Sequence, residues 1–180
     1  MSKNNPRLVL LSCCAPCSVG AATQLREQGA DFCVLFHNPN IYPESEYQKR
    51  LAEQIRLCES MGVKYVVGKY DRDAWAQCVK GMEDEPERGR RCAACFRHRI
   101  EWGARYARDN GYDAFATVFG VSKHKDQCQV DAVAKAAEGQ GVRYIPTDWD
   151  EDLHQEIIKK AGFYRQSYCG CEFSMKKTDG

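Results

Sequence analysis

Short apolar runs alternate with longer amphipathic stretches along the 180 residues of the chain. Arg7–Ser12 holds an uninterrupted apolar run and predicts a buried strand; Ser18–Gln28 follows as a helix, with Gly29 as its stop signal. Phe32–Phe36 predicts a second strand, and Asn38–Pro43 a turn-rich loop. Glu44–Met61 predicts a long helix with Tyr47, Leu51, Ile55 and Cys58 on its apolar face and Gly62 closing it. Lys64–Val67 reads as a third strand, Asp73–Val79 as a short helix and Gly81–Arg91 as a linker. Ala93–Asn110 is predicted helical and Ala114–Phe119 a fourth strand; helix Asp126–Glu138, strand Val142–Ile145 and helix Asp150–Ala161 complete the series.

Strands that alternate with helices imply an α/β fold, a mostly parallel sheet of about five strands with helices on both faces. The expected organisation is a single domain over residues 1–180. In such sheets the chemistry lies in the crevice at the carboxyl ends of the strands.

The hydrophobic fraction of 43% and charged fraction of 28% are those of a globular chain, and the net charge of +1 requires any nucleic-acid partner to meet a local basic patch. Met1–Pro6 is polar and the apolar run after it is too short for a membrane span, so the expected location is the cytoplasm. The 11 cysteines are an odd number, and that compartment keeps thiols reduced, which argues against a disulfide framework. Cys33, Cys58, Cys78 and Cys128 stand alone and read as small buried apolar groups.

The other seven are clustered. Cys13, Cys14 and Cys17 fall in one strand-to-helix turn, Cys92 and Cys95 are spaced i, i+3 at a helix start, and Cys169 and Cys171 flank a glycine. Adjacent residues on an extended chain face opposite ways, so Cys13 and Cys14 cannot both serve one apolar core. One structural zinc site takes four ligands and is overfilled by seven thiols. An iron–sulfur cluster also takes four cysteines and leaves three for a second metal or a redox pair. Spacing alone keeps both metals open.

Seven arginines (Arg88, Arg90, Arg91, Arg97, Arg99, Arg105 and Arg108) fall in a stretch without lysine, where Glu101 is the one acid. This one-sign run suits either a phosphate-bearing ligand, such as single-stranded RNA, or pairing with the acidic Glu83–Glu87 block.

Four motifs together resemble the epoxyqueuosine reductase QueH family: Ser12–Ser18; Asn38–Pro43 with Glu46-Tyr47 and Lys49-Arg50; Asp84–Glu87 leading into Arg91-Cys92-x-x-Cys95-Phe96-x-x-Arg99; and Tyr164–Cys171. The resemblance implies a single Rossmann-like (adenine-nucleotide-hydrolase-like) domain. It also implies cobalamin-independent reduction of epoxyqueuosine to queuosine at the tRNA wobble position, the last step of queuosine synthesis. The implied cofactors are a [4Fe-4S] cluster and a separately coordinated mononuclear iron, with Cys13, Cys14, Cys17, Cys92, Cys95, Cys169 and Cys171 as metal ligands. The implied partners are the tRNA anticodon stem-loop and a small electron donor such as ferredoxin or flavodoxin. Cys17 is assigned to the lone iron, and Cys92, Cys95 and one of Cys169 and Cys171 to the cluster.

His124, Tyr168 and Asp126 are the candidate proton donors, and Asn38, Asn40, Tyr42, Arg91, Arg99 and Arg165 the candidate substrate contacts. His37 is placed at the same sheet edge, and His98 and His154 on helix surfaces. The chain departs from the family pattern at Val118–Gly120 and Ser122–Asp126, which lacks a proline and an asparagine, and in a short segment between Asp148 and Tyr164. Two rival readings are a tRNA-thiolating ATP pyrophosphatase, which needs a glycine-rich phosphate loop after the first strand, and a zinc-stapled RNA-binding module.

Overall fold

The computed structural model describes residues 6–148 and 150–175. Five parallel strands, β1 (Leu8–Ser12), β2 (Phe32–Phe36), β3 (Lys64–Val67), β4 (Ala114–Thr117) and β5 (Arg143–Tyr144), form one sheet in the order β3-β2-β1-β4-β5. The central strand β1 is buried along its whole length, as its unbroken Leu-Val-Leu-Leu run requires. It pairs Leu11 with Leu35 on one side and with Thr117 on the other.

From β1 the chain steps outward through β2 to β3, then crosses back to β4 and β5. Right-handed crossovers in these two directions cover opposite faces of the sheet. Helices α1 (Ala15–Glu27) and α2 (Glu44–Met61) belong to the first direction, and α6 (Glu151–Ala161) packs on α1. Helices α4 (Arg90–Asp109) and α5 (Gln127–Ala137) pack on each other, with α3 (Arg72–Cys78) against α4. The strand order reverses beside β1, which makes the carboxyl ends of β1 and β4 the crevice. Helix α4 lies close on β1 because Gly103 has no side chain: a Cβ there would stand 2.5 Å from Leu11 Cδ2.

Several boundaries differ from the sequence reading. Helix α1 starts at Ala15, not Ser18, because Pro16 fits a first turn that needs no amide, and this puts Cys17 on the helix. Helix α4 starts at Arg90 after Gly89, so Cys92 and Cys95 lie in its first turns. Strand β4 ends at Thr117, and Phe119–Val121 forms a 3-10 turn instead. Asp126 and Asp150 cap α5 and α6 from outside, accepting from Gln129 N at 3.4 Å and Leu153 N at 2.9 Å. A short helix α7 (Glu172–Met175) was not foreseen.

The inner face of α2 is more polar than its apolar spacing predicts: Glu46, Arg50 and Gln54 are buried beside Tyr47 and Cys58, while Leu51 and Ile55 are half-buried. Of the lone cysteines, Cys33 and Cys58 are buried; Cys78 is half-buried, and Cys128, contrary to expectation, is exposed in the first turn of α5. His154 is buried against Gly20 rather than on the surface, and His98 is half-buried.

Candidate metal centre

Strand β1 ends at Ser12, and the chain turns at once into α1, stacking three thiols in the crevice. Cys13 Sγ lies 3.8 Å from Cys14 Sγ, Cys14 Sγ lies 2.8 Å from Cys17 Sγ, and all three fall within 4.8 Å of one another. The turn is held from behind. Ser12 Oγ and Ser18 Oγ both donate to Gln54 Oε1, at 2.6 and 3.1 Å, and Gln54 passes the contact on to Cys58 Sγ. The buried glutamine of α2 therefore fixes the thiol turn of β1–α1.

Cys92 and Cys95 of α4, with Cys169 and Cys171 of the tail, line a second part of the same edge, a small cavity shared with Asn40, Trp75 and Arg91. The tail reaches it through a specific anchor. Ile41 and Cys171 form an antiparallel bridge, and Tyr42 N donates to Gly170 O at 2.8 Å. Arg50 donates to the carbonyls of Tyr168 and Cys169, both at 3.1 Å, while its Nε binds Glu46 at 2.7 Å; Tyr164 Oη donates to the second Glu46 oxygen at 2.8 Å. Gly170 has φ +107, and a Cβ on it would stand 3.0 Å from Arg50 Nη1, so both conformation and space call for glycine.

Lys125 joins the two thiol groups. It is buried, lines the cavity, and places Nζ 3.7 Å from Cys13 Sγ. Burial opposes its charge, but the Cys13 and Cys17 sulfurs outweigh burial and raise its pKa. Within the trio, hydrogen bonds from Cys14 and Cys17 hold the Cys13 thiol well below its ordinary pKa, whereas burial pushes Cys14 up to about 12. In the tail, the hydrogen bond from Cys171 pulls Cys169 down to about 5, and Cys171 rises in return. Each group thus stabilises a thiolate, the form that binds metal.

These donors fit iron and sulfur. Two ligands of one tetrahedral ion, with bonds near 2.3 Å, stand roughly 3.8 Å apart, the separation of Cys13 and Cys14; Cys17, 2.8 Å from Cys14, must draw back to join them. The four ligands of a cuboidal cluster each bind a different iron, and Cys92, Cys95, Cys169 and Cys171 are four thiols lining one cavity. Buried polar atoms without a partner gather at that cavity: Asn40 Oδ1, Trp75 Nε1, and Nε and Nη2 of Arg91 belong to residues that line it.

The other residues singled out by the sequence divide in two. Asn40, Arg91, Arg99 and His124 line the cavity. Asn38 is buried with both ends of its amide engaged, donating to Ser12 O at 3.0 Å and accepting from Arg99. Arg99 lies with its guanidinium carbon 3.8 Å from the Phe119 ring centre. Arg91 donates to the carbonyls of Met82, Glu83 and Glu85, and Arg90 pairs with Glu85, so part of the arginine run does neutralise the acidic block. Tyr42 and Arg165 are exposed; Tyr168 donates to the Tyr42 carbonyl, and the Asp126 carboxylate is occupied as the α5 cap. His37 is buried at the end of β2, stacked on Trp102 at 4.2 Å. Sequence reasoning missed Lys125, Trp75, Arg50 and Gln54 as parts of the site. Glu46, Arg50 and Gln54 recur every four residues on α2, a polar stripe that could have drawn attention; Lys125, between a histidine and an aspartate, carries no such signal.

Comparison with known proteins agrees with this geometry. The sequence pattern of the family described as Epoxyqueuosine reductase QueH matches residues 8–177. The Epoxyqueuosine reductase QueH of Histophilus somni (strain 129Pt) is 42% identical over 179 residues, covering 96% of this chain and 74% of that protein. That of Acinetobacter baylyi is 38% identical over 182 residues, covering 98% and 84%. Among solved structures, the U34-tRNA thiolase NcsA from Methanococcus maripaludis with its [4Fe-4S] cluster superposes with a TM-score of 0.62 at 15% identity; the match covers 98% of this chain and 65% of NcsA, a likeness of fold. A predicted tRNA methyltransferase subunit from Methanocaldococcus jannaschii gives 0.58 at 13% identity, covering 86% of this chain and 74% of the other. With the family pattern running through all three thiol clusters, the chain belongs to the epoxyqueuosine reductase QueH family.

Proposed function

We propose that the protein reduces epoxyqueuosine to queuosine at the wobble position of tRNA, without cobalamin, at the thiol-lined edge of its sheet. The observation that carries this reading is the pairing of two thiol groups, Cys13–Cys14–Cys17 and Cys92–Cys95–Cys169–Cys171, through one buried lysine. The quartet would hold a [4Fe-4S] cluster, the group that NcsA carries on the same fold, and the trio a single iron. This assigns both Cys169 and Cys171 to the cluster.

Converting an epoxide to an alkene takes two electrons and two protons and releases water. The metal groups, when bound, supply single electrons and a Lewis-acidic position. The protein supplies the rest. Arg99 and Lys125 offset the thiolate charge, His124 lines the cavity within reach of a bound substrate as the proton donor, and exposed Tyr42 and Arg165 meet the base and backbone of the anticodon loop. The target base leaves its stack to reach them. A ferredoxin or flavodoxin delivers electrons. The expected setting is the cytoplasm; among the described residues no helix is long and apolar enough to cross a membrane.

The shared fold makes a tRNA-thiolating ATP pyrophosphatase the second reading. Against it, the turn after β1 is filled by buried thiols and Pro16, where a phosphate would need free amides. Anaerobic reconstitution followed by incubation with epoxyqueuosine-containing tRNA and a chemical reductant tests the proposal. Nucleoside mass spectrometry should show loss of one oxygen; unchanged epoxyqueuosine with a fully loaded protein would refute it.

A further inference from the structure

We propose that Trp75 and Arg91 direct their unpartnered N–H groups onto the sulfurs of the group held by Cys92, Cys95, Cys169 and Cys171, and so set its reduction potential. The inference rests on the iron–sulfur reading above.

Trp75 is fully buried in one apolar cluster with Cys95 and Cys171, and Cys169 and Phe173 pack against that cluster. The Arg72 guanidinium covers its ring at 4.7 Å and Phe173 stacks at 6.1 Å, which leaves the N–H edge of the indole as its polar outlet. Nε1 has no partner. Arg91, next to Cys92 in the chain, spends Nη1 on the carbonyls of Met82, Glu83 and Glu85, and Phe173 lies 5.3 Å from its guanidinium carbon. Its opposite edge, Nε with Nη2, is buried and unpartnered. That edge is the fork with which arginine grips an anion.

A buried donor left unpaired is costly, more so when it carries charge, so these N–H groups require an acceptor. All of them are donors; the same wall holds the unpartnered Asn40 Oδ1, but one amide oxygen has two lone pairs for the N–H bonds of these three nitrogens, and thiolate or sulfide sulfur is the further acceptor that the wall provides. Hydrogen bonds to cluster sulfur are among the factors that set the potential. Reduction adds negative charge, which an N–H donor and a cation stabilise, so both residues raise the potential. Neither needs to touch substrate; they are positioning residues that act through the metal group.

The test compares reconstituted wild type with Trp75→Phe, Arg91→Lys and Arg91→Met by iron and sulfide content and by an EPR-monitored redox titration. Each variant should load and show a lower midpoint potential. Trp75→Phe should shift the one-electron equilibrium about tenfold (~59 mV), Arg91→Met by more, and Arg91→Lys by an intermediate amount. Wild type labelled with 15N in its indole groups should show a 15N coupling to the reduced group in pulsed EPR, lost in Trp75→Phe. Variants that load fully with unchanged potential, or a loaded wild type without the coupling, overturn the inference and leave the proposed reaction intact. A variant that fails to load passes the decision to the wild-type coupling. A wild type that takes up no iron and sulfide overturns the proposed function itself.

Discussion

Arg50 donates from Nη1 to the carbonyl oxygen of Cys169 at 3.1 Å, although 119 residues separate them in the chain. The contact ties the Cys169–Cys171 hairpin to α2, the same helix whose Gln54 braces the Cys13–Cys17 turn. One helix thus braces the trio and the tail half of the quartet, while Cys92 and Cys95 are carried by α4.

Arg50→Ala leaves Glu46 buried without its cation. Breaking such a pair costs about 3–5 kcal/mol, and urea denaturation should show a loss of that order. Glu46→Gln keeps the hydrogen bonds and should cost less. Gly170→Ala should cost about 1–3 kcal/mol through backbone strain alone.

Replacing Cys14 or Cys95 by alanine should abolish turnover and lower iron content, by metal analysis after anaerobic reconstitution. Cys58→Ala, at a thiol that only receives Gln54 Nε2 at 3.5 Å, should do neither. Equal iron loss in all three would refute the division between ligand and core thiols.

Lys125→Met removes the cation between the two thiol groups while keeping most of its volume. Changes to outer partners of a metal site typically cost 10–100-fold in affinity, so iron should leave the variant to a competing chelator at correspondingly lower chelator concentration.

Burial, then the Arg99 charge, pushes His37 down to about 3. The folded protein keeps it neutral, while the unfolded chain takes a proton below about pH 6.5. Stability from this residue is therefore fully present above pH 6.5 and is lost as pH falls toward 3, by on the order of a few kcal/mol. Burial also lowers His154, which adds in the same direction. His37→Phe should flatten the acid limb of a plot of melting temperature against pH; an unchanged limb would exclude His37 as its source.

Much of the architecture was legible in the chain. Strand β2 and helix α2 fall at their predicted bounds because uninterrupted apolar residues and a terminal glycine leave little choice. Helices α1 and α4 start three residues before their predicted Ser18 and Ala93, because Pro16 suits a first helical turn and α4 opens directly after Gly89, inside the stretch read as a linker. The clustered cysteines announced the site, but not its supports. Trp75 looks like a core residue, and Lys125 like a solvated one, until the tertiary fold closes over them. His154 looked exposed for a similar reason: a small residue on another helix, Gly20, makes the space it fills.

The antiparallel bridge between Ile41 and Cys171 makes a late stretch of the chain one wall of the cavity: all five strands are complete at Tyr144, yet Cys169 and Cys171 come from beyond it. A chain cut between Tyr144 and Cys169 would keep every strand of the sheet and lose half of the thiols that line the cavity, so a truncation there would separate folding of the sheet from closure of the site.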